Sequence, residues 1–311
     1  MLFNSVDFLV FFAFVITITV IIKNKNFSYV FLVAASYLFF YFSNNFLISL
    51  LVFSTVLDYY VAKEIWSTNS KSKKKRLLLI SIIGNLGLLG FFKYADFGIS
   101  QFNDLFKLIG LNDIPLLEIA LPVGISFYTF QTLGYTIDVY RGQLSPAKSF
   151  KEFALFVAFF PQLVAGPILR ASNFLPQIRE KFSQLNTKNY LKQILVQRSN
   201  LKLGLTLMSF GFFKKMFFAD NIAPFVDEIF LNPVGLDSFV ILLGTIGFGI
   251  QVYCDFSGYS DIAIGAALIL GFKVPQNFNF PFFATSPAEF WRRWHISLST
   301  WVRDYVLFPM V

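Results

Sequence analysis

The chain has 311 residues, of which 56% are hydrophobic, 14% are charged and 43 are phenylalanine. Soluble domains usually carry about 25% charged residues, so this composition excludes an ordinary soluble protein and predicts an integral membrane protein. A single cysteine excludes an intramolecular disulfide, and one cysteine with one histidine leaves too few ligands for a zinc site. The net charge of +8 comes from lysines grouped between apolar runs, which is typical of cytoplasmic loops and not of a nucleic-acid-binding surface.

Apolar runs near the start of the chain are long enough to cross, or nearly cross, a bilayer. They are Phe8–Ile22, Phe27–Phe42, Phe46–Ala62 and Leu77–Phe92. The first run has neither a basic leader nor a small-residue cleavage site, so we expect it to remain in the mature protein. Lysines follow the first and third runs, whereas Asn44 and Asn45 follow the second. Under the positive-inside rule the lysines face the cytoplasm, which predicts an extracytoplasmic N-terminus.

The rest of the chain contains apolar segments that proline, glycine or polar residues interrupt. Leu116–Ile137 is long enough to cross but is broken by Pro122, Gly124 and Gly134. Phe153–Leu169, which is broken by two prolines, is interpreted as a re-entrant element. The basic region Arg170–Lys202 predicts a cytoplasmic loop that contains a surface helix. Further membrane segments are expected at Leu203–Phe218, Phe239–Cys254 and Ile262–Phe272. Because there is no internal repeat and no soluble stretch, residues 1–311 are expected to form a single membrane domain.

Two glutamines stand out within the interrupted segments. Gln131 lies in Leu121–Thr132, which is rich in small and hydroxyl-bearing residues, and Gln162 lies in the middle of Phe153–Leu169. Such residues are typical of close helix packing with hydrogen bonds between helices. They also suit the lining of a substrate path, and the sequence leaves both interpretations open.

Two carboxylates, Asp255 and Asp261, lie at the end of an expected membrane segment. Such groups are costly in a membrane unless they face water, a cavity or an opposite charge. One hypothesis is that they form ion pairs with Arg292 or Arg293. The alternatives are that they line the substrate path or take part directly in the chemistry.

The only histidine, His295, lies in the segment Phe290–Trp301, where Arg292, Arg293 and Trp294 precede it. An imidazole can accept the proton of an attacking hydroxyl group, which acyl transfer to an alcohol requires. The arginines could bind an anionic donor or stabilise a developing oxyanion. The competing interpretation is an interfacial belt, because tryptophan and arginine are favoured at membrane surfaces.

Five sequence motifs, in the same order, resemble those of the membrane-bound O-acyltransferase family, in the subgroup that includes the membrane subunit of alginate O-acetyltransferases. They are Leu121–Gln131 with Tyr135–Gly142, Phe159–Ile168, Gly211–Asp220, Asp255–Ala267 and Ala288–Tyr305. The resemblance implies an all-α, polytopic membrane helical bundle in which re-entrant segments form a funnel around a buried site. It also implies a catalytic role for His295, as the first of two histidines that the family places at its active centre.

The activity implied by the resemblance is transfer of an acyl group, typically acetyl, from a cytoplasmic donor to hydroxyl groups of an exported polysaccharide. No bound cofactor is implied, and the donor would be acetyl-coenzyme A or an acyl carrier protein, which the basic region Arg170–Lys202 would suit. The expected partners are membrane lipid, periplasmic polysaccharide-acetylation proteins and a cytoplasmic donor protein. The expected location is the inner membrane of a bacterium, and an exporter of D-alanine to teichoic acids is a related alternative.

The sequence departs from the family's pattern at its end. Family members continue through further membrane segments, one of which carries the second histidine in a Trp-His-Gly motif, whereas this sequence holds only His295 and ends at Val311. The fold is therefore expected to be C-terminally incomplete and to cover roughly the first two thirds of a typical member. A truncated, non-catalytic membrane protein is a second hypothesis, and transport of a small polar solute, which no inverted repeat supports, is a third.

Overall fold

A computed structural model describes residues 1, 3–22, 24–163, 166–183 and 198–310, and every regular element in these residues is helical, as predicted. The α-helices are α1 (Val6–Ile21), α2 (Lys25–Asn44), α3 (Ile48–Ser67), α4 (Lys71–Leu108), α5 (Ile125–Tyr140), α6 (Phe150–Ala158), α7 (Phe160–Leu163), α8 (Ala171–Ser183), α9 (Arg198–Phe212), α10 (Asp220–Leu231), α11 (Ser238–Ile269), α12 (Pro287–Arg293), α13 (Ile296–Val302) and α14 (Phe308–Met310). Short 3-10 turns span Asn45–Leu47 and Pro281–Phe283, and π-helical turns span Phe213–Ala219 and Arg303–Leu307.

The first four helices follow the predicted apolar runs. In the described part of the chain, the helical stretches long and apolar enough to cross a membrane are Asn26–Ser67, Lys71–Leu108 and Ser238–Ile269. The first of these contains both α2 and α3, which Asn45 separates with a φ of 50°, and the Tyr37 hydroxyl donates a hydrogen bond of 3.3 Å to Thr55 Oγ1 between them. The chain is therefore membrane-embedded, whereas its orientation across the membrane stays a prediction.

A buried carboxylate joins α3, α4 and α5. Asp58 on α3 is fully buried and accepts hydrogen bonds from Ser81, from Asn85 Nδ2 at 2.8 Å and from Thr136 Oγ1 at 2.9 Å. A polar group in a low-dielectric interior is costly when it lacks partners and holds its neighbours firmly when it has them. This cluster therefore fixes the position of α5, the helix that carries Gln131.

The predicted crossing segment Leu116–Ile137 is helical only in its second part. Residues 111–122 have no regular structure, and α5 begins at Ile125. Pro122 has no backbone amide to donate, and Gly124 has a φ of 82°, in the left-handed region that favours glycine. These two residues break the segment, as the sequence predicts, whereas Gly134, the third expected break, lies inside the continuous helix α5.

The predicted re-entrant element Phe153–Leu169 is broken, because Phe159 separates α6 from α7. Every side chain from Phe153 to Leu163 is buried, and several of the rings pack on each other. Residues 164 and 165 lie outside the described residues. The path of this element relative to the membrane, and the funnel to which it would belong, stay predictions.

The basic region Arg170–Lys202 contains a helix, α8, as predicted, although it does not lie wholly on the surface. One face of α8 is buried at helical spacing, by Ala171, Phe174, Leu175, Ile178 and Phe182. An ion pair of 2.5 Å between Arg179 Nε and Glu152 Oε1 holds α8 to α6. The rest of the predicted loop, residues 184–197, lies outside the described residues.

The two segments predicted at Phe239–Cys254 and Ile262–Phe272 form one continuous helix, α11, so the predicted break is wrong. The residues between them include Asp255 and Asp261, whose charges are met by side chains of the neighbouring π-helical turn. Because both carboxylates have partners, the polar stretch does not interrupt the helix.

Glycines allow α9 and α11 to approach each other closely. A Cβ atom on Gly258 would lie 2.8 Å from the carbonyl oxygen of Gly211, and one on Gly265 would lie 2.5 Å from that of Gly204. Small residues at such crossings are a common feature of helix packing in membranes. The π-helical turn that follows α9 is thereby held against the middle of α11.

After α11 the chain forms a hairpin that lies along α11 and returns. Tyr253 on α11 contacts the rings of Phe282 and Trp294, at 5.4 and 6.3 Å between centroids. The returning chain then packs on α5, where Trp301 Nε1 donates a hydrogen bond of 2.8 Å to the Phe130 carbonyl. The residues near His295 are therefore held between α11 and α5.

Candidate active site

His295 connects α12 to α13 in a backbone conformation that is uncommon for a residue with a side chain. Its φ and ψ are 41° and 54°, in the left-handed region, and its carbonyl accepts the Ser299 amide at 3.0 Å. Such a conformation costs about 1 to 3 kcal/mol and persists only where the surrounding structure imposes it. An observed strain of this kind points to a functional site.

Two backbone hydrogen bonds across the hairpin impose this conformation. The Asn279 amide donates to the Arg293 carbonyl, and the Ile296 amide donates to the Asn277 carbonyl, both at 2.9 Å. They clamp the chain on either side of His295. The imidazole is therefore placed by the pairing of two chain segments and not by one helix.

A buried side-chain network anchors the same loop. Asn277 Oδ1 accepts the Ser297 hydroxyl at 2.6 Å and the Ser297 amide at 3.3 Å, while Asn277 Nδ2 donates to Ser260 Oγ on α11 at 3.2 Å. Ser297 Oγ in turn accepts the Ile168 amide at 3.0 Å. Asn277 thus ties His295's loop to α11, and Ser297 ties it to the segment before α8.

The ring of His295 lies in an apolar environment. It meets the Phe256 ring edge-on at 4.6 Å between centroids and lies 6.1 Å from Phe127 of α5. Its Nε2 atom is buried and has no hydrogen-bond partner among the described residues. Burial lowers the pKa of His295 to about 4, so the imidazole is neutral at pH 7. A buried nitrogen without a partner is rare, which favours a role in binding or proton transfer.

The neighbouring cations do not bind His295 in the described structure. Arg293 forms an ion pair of 2.6 Å with Glu289 and donates to the Phe280 carbonyl at 3.4 Å, while Arg292 is exposed. Trp294 stacks on Phe290 at 5.5 Å. Arg293 and Trp294 therefore support the hairpin, and the predicted contact of these three residues with substrate stays a prediction.

Glu289 fixes the start of α12. Its carboxylate accepts the amide and the hydroxyl of Thr285, both at 2.8 Å, while its own amide binds the Ser286 hydroxyl at 3.2 Å. The hydrogen bonds from the backbone and hydroxyl of Thr285, together with Arg293, lower the pKa of Glu289 to about 2. It is therefore an ionised structural anchor and not a proton donor at neutral pH.

The structure pairs the two predicted aspartates with lysines and not with arginines. Asp255 forms an ion pair of 2.5 Å with Lys215, which also binds Asp220 at 2.7 Å, and Asp261 pairs with Lys214. The hypothesis of an ion-pair role agrees with these contacts, whereas the proposed partners are wrong. Both lysines lie in the π-helical turn after α9, a type of irregularity that is frequent at functional sites.

Gln131 and Gln162 both donate hydrogen bonds to backbone carbonyls at the C-terminal end of α6. Gln131 Nε2 donates to the Phe156 carbonyl, and Gln162 Nε2 donates to the Val157 carbonyl at 3.5 Å, so both satisfy acceptors that a helix end leaves free. Each side chain is buried, and each Oε1 atom has no partner in the described residues. Their hydrogen bonds are thus structural, and a lining role stays a prediction.

Sequence reasoning missed the residues that position His295. Asn277 lies outside the matched motifs, whereas Ser260 and Ser297 lie within two of them without any sign of their partner. Phe256 and Phe127, which enclose the ring, are two of 43 phenylalanines and cannot be singled out from a single sequence. Among the described residues, no group of three or more potential metal ligands lies together.

Comparison with known proteins decides the family. The profile of the membrane-bound O-acyltransferase family matches residues 8–311. The chain belongs to this family. The chain is 37% identical to the probable alginate O-acetylase AlgI of Pseudomonas aeruginosa over 98% of its own length and 56% of that protein's.

Two further relatives carry different names. The family member described here is 38% identical to the peptidoglycan O-acetyltransferase of Helicobacter pylori over 93% of this chain and 56% of that protein. It is 29% identical to the teichoic acid D-alanyltransferase of Bacillus subtilis over 61% of this chain and 45% of that protein. The chain thus spans about half the length of the curated relatives that it matches.

Proposed function

We propose that this O-acyltransferase acetylates hydroxyl groups of an exported polysaccharide. The observation that carries the proposal is the alignment, over nearly the whole chain, with relatives named as alginate and peptidoglycan O-acetylases. The geometry at His295 supports it, since a strained loop presents a buried and unpartnered nitrogen between two aromatic rings.

In this proposal His295 Nε2 accepts the hydrogen bond of the acceptor hydroxyl and then its proton. The hydroxyl oxygen forms a bond to the acyl carbon of a thioester donor, the carbon–sulfur bond breaks, and the proton passes from His295 to the departing thiolate. Phe256 and Phe127 exclude water, which would otherwise hydrolyse the thioester. Because an imidazole of pKa about 4 is a weak base, substrate binding has to raise its proton affinity.

The proposal places the chain in the inner membrane of a bacterium, with an extracytoplasmic N-terminus. The lysines that follow α1 and α3 would then face the cytoplasm, where acetyl-coenzyme A or an acyl carrier protein supplies the donor. The acceptor polymer and the periplasmic polysaccharide-acetylation proteins would meet the opposite side. Membrane lipid surrounds the bundle.

The test is His295→Ala in the full product of the gene, expressed in cells that lack the native copy. General base catalysis contributes about 100-fold to 10,000-fold, so we expect the O-acetyl content of the polymer to fall to background. Lys107→Ala, at an exposed ion pair near the end of α4, serves as the control with unchanged acetylation. A His295→Ala protein that reaches the membrane at normal levels and still acetylates the polymer would remove His295 from the mechanism.

D-Alanyl transfer is the second candidate, because the teichoic acid D-alanyltransferases align with part of the chain. The same polymer preparations distinguish the two, since mild alkali releases acetate in one case and D-alanine in the other. The 311-residue chain, assayed beside the full product, tests the hypothesis of a non-catalytic protein. Acyl transfer by that chain alone would contradict it.

A further inference from the structure

A polar cavity of about 570 Å³ lies at the C-terminal end of α5, apart from the ring of His295. Its polar lining includes Arg141, Gln143, Arg170, Ser172, Asp304 and Tyr305. These residues come from the end of α5, the start of α8 and the π-helical turn after α13. The cavity is thus a meeting point of three chain segments.

Two guanidinium groups lie against one aromatic ring at this cavity. Arg170 is 4.4 Å and Arg141 is 5.4 Å from the centroid of the Tyr305 ring. Arginine binds phosphate through a planar fork of donors, and a ring beneath it limits its motion. The pair is therefore ordered before any anion arrives.

The carboxylates of the cavity already have partners. Asp304 binds Arg170 at 2.9 Å and Arg303 at 2.8 Å, and Asp138 is buried and accepts the Tyr305 hydroxyl at 2.8 Å. Arg141 forms no ion pair among the described residues, and its side chain makes one hydrogen bond, to the Asp304 carbonyl at 3.2 Å. Its exposed guanidinium is the charge that a ligand in the cavity would meet.

A second cavity borders the first and lies beside the residues that follow His295. This smaller cavity of about 180 Å³ shares Arg170 and is lined by Ile296 and Ser297, the residues that follow His295. His295 and Asp304 are nine positions apart along α13 and its π-helical turn, a span of about 13 Å at the helical rise. This span suits a ligand with a charged head and a long chain.

The cavity lies at the same end of the bundle as the two lysines at the start of α2. Arg141 begins the short connection from α5 to α6, and Lys151 of α6 donates to Asn26 Oδ1, at the start of α2, at 3.4 Å. Lys23 precedes α2 and Lys25 is its first residue. In the orientation proposed above, this end faces the cytoplasm, where acyl thioesters of phosphopantetheine are present.

We propose that Arg141 and Arg170 bind the phosphate of a phosphopantetheine thioester, so that its acyl end reaches through the smaller cavity towards His295. This inference rests on the proposed function, because it identifies the donor's site. The shared chemistry is the phosphopantetheine phosphate, which coenzyme A and the prosthetic group of an acyl carrier protein both supply.

The test measures binding and not turnover, with the full gene product in lipid nanodiscs. The probes are S-acetyl-4′-phosphopantetheine and S-acetylpantetheine, which lacks the phosphate. We expect the natural protein to bind the phosphorylated probe at least tenfold more tightly, which corresponds to about 1.4 kcal/mol. Arg141→Ala should reduce this ratio to below threefold without weakening the binding of S-acetylpantetheine.

Gln143→Glu places a negative charge on the cavity wall at an exposed position, where loss of folding is not expected, and should also reduce the ratio. Lys151→Ala is the matched control, because Lys151 lies 5.2 Å from the centroid of Tyr29, as a cation over a tyrosine outside the cavity. It should keep the ratio of the natural protein. Competition by acetyl-coenzyme A and by an acetylated carrier protein then shows which source binds.

The inference is overturned if the natural protein does not distinguish the two probes, or if Arg141→Ala and Gln143→Glu both retain the full ratio. Failure of the proposed function has a different signature. In that case His295→Ala leaves polymer acetylation unchanged, whereas the preference for the phosphorylated probe and its dependence on Arg141 remain measurable.

Discussion

Asn277 provides the sharpest test of how the fold positions His295. Asn277→Ala removes the hydrogen bonds to Ser260 Oγ at 3.2 Å, to the Ser297 hydroxyl at 2.6 Å and to the Ser297 amide at 3.3 Å. Each buried hydrogen bond contributes about 1 kcal/mol, so the free energy of unfolding should fall by about 3 kcal/mol. The strained backbone of His295 would then lose the anchor on its C-terminal side.

A comparable asparagine far from His295 supplies the control. Asn103 on α4 accepts the Ile114 amide at 2.7 Å and donates to the Ile114 carbonyl at 2.8 Å, so it also anchors a loop. Asn103→Ala should cost about 2 kcal/mol in the free energy of unfolding. It should not affect the environment of the imidazole, because no contact links this loop to His295 in the described structure.

The assay combines stability with two readouts at the site. Unfolding in detergent gives the loss of stability, and NMR of histidine-labelled chain reports His295, the only histidine in the 311 residues. We expect Asn277→Ala to move the His295 signal and, in the full gene product, to lower kcat for acetyl transfer with little change in KM. Asn277→Asp, which keeps the acceptor for Ser297, should restore part of both. An unstable Asn277→Ala protein with an unmoved signal and normal kcat would refute the reasoning.

Two further perturbations test the packing and the electrostatics. Gly258→Ala should lower the free energy of unfolding by about 1 to 3 kcal/mol, because its Cβ would lie 2.8 Å from the Gly211 carbonyl oxygen. Gly249→Ala on the same helix is the control and should be neutral, because its Cβ would meet nothing within 4 Å. Equal unfolding temperatures for the two variants would show that the contact at Gly258 is not tight. The NMR signal of His295 should titrate near pH 4, since burial lowers its pKa. Stability from this group is then complete above about pH 6.5 and is lost as the pH falls towards 4, because the unfolded chain takes up the proton first; a midpoint near pH 6.5 in the folded protein would contradict the burial.

The membrane helices of the first third could be predicted from sequence because their signal is local. A run of apolar residues has to be helical in a bilayer, since every backbone polar group needs a partner within its own segment. The ends of these helices are predicted less accurately, since α4 continues to Leu108, well past the predicted end at Phe92. Helical continuation beyond an apolar run depends on propensity and on tertiary contacts, which hydrophobicity does not report.

The interruption expected in α11 could not be judged from the sequence, because it depends on partners elsewhere in the chain. Asp255 and Asp261 mark the end of a membrane segment if their charges are unpaired. Lys214 and Lys215 neutralise them from α9's side, so the backbone stays helical through all 32 residues of α11. Whether a helix ends at a polar stretch or continues through it therefore depends on ion pairs with residues elsewhere in the chain.

The position of the His295 imidazole also depends on residues elsewhere in the chain. His295 is visible in the sequence because it is the only histidine, whereas its position depends on Asn277, Ser260 and Ile168, which lie 18, 35 and 127 residues before it. Since a left-handed residue would relax if any of these contacts were lost, the site requires the whole arrangement and not one motif. The residues that place the imidazole should therefore be as sensitive to substitution as the imidazole itself, although none of them would touch the reacting atoms.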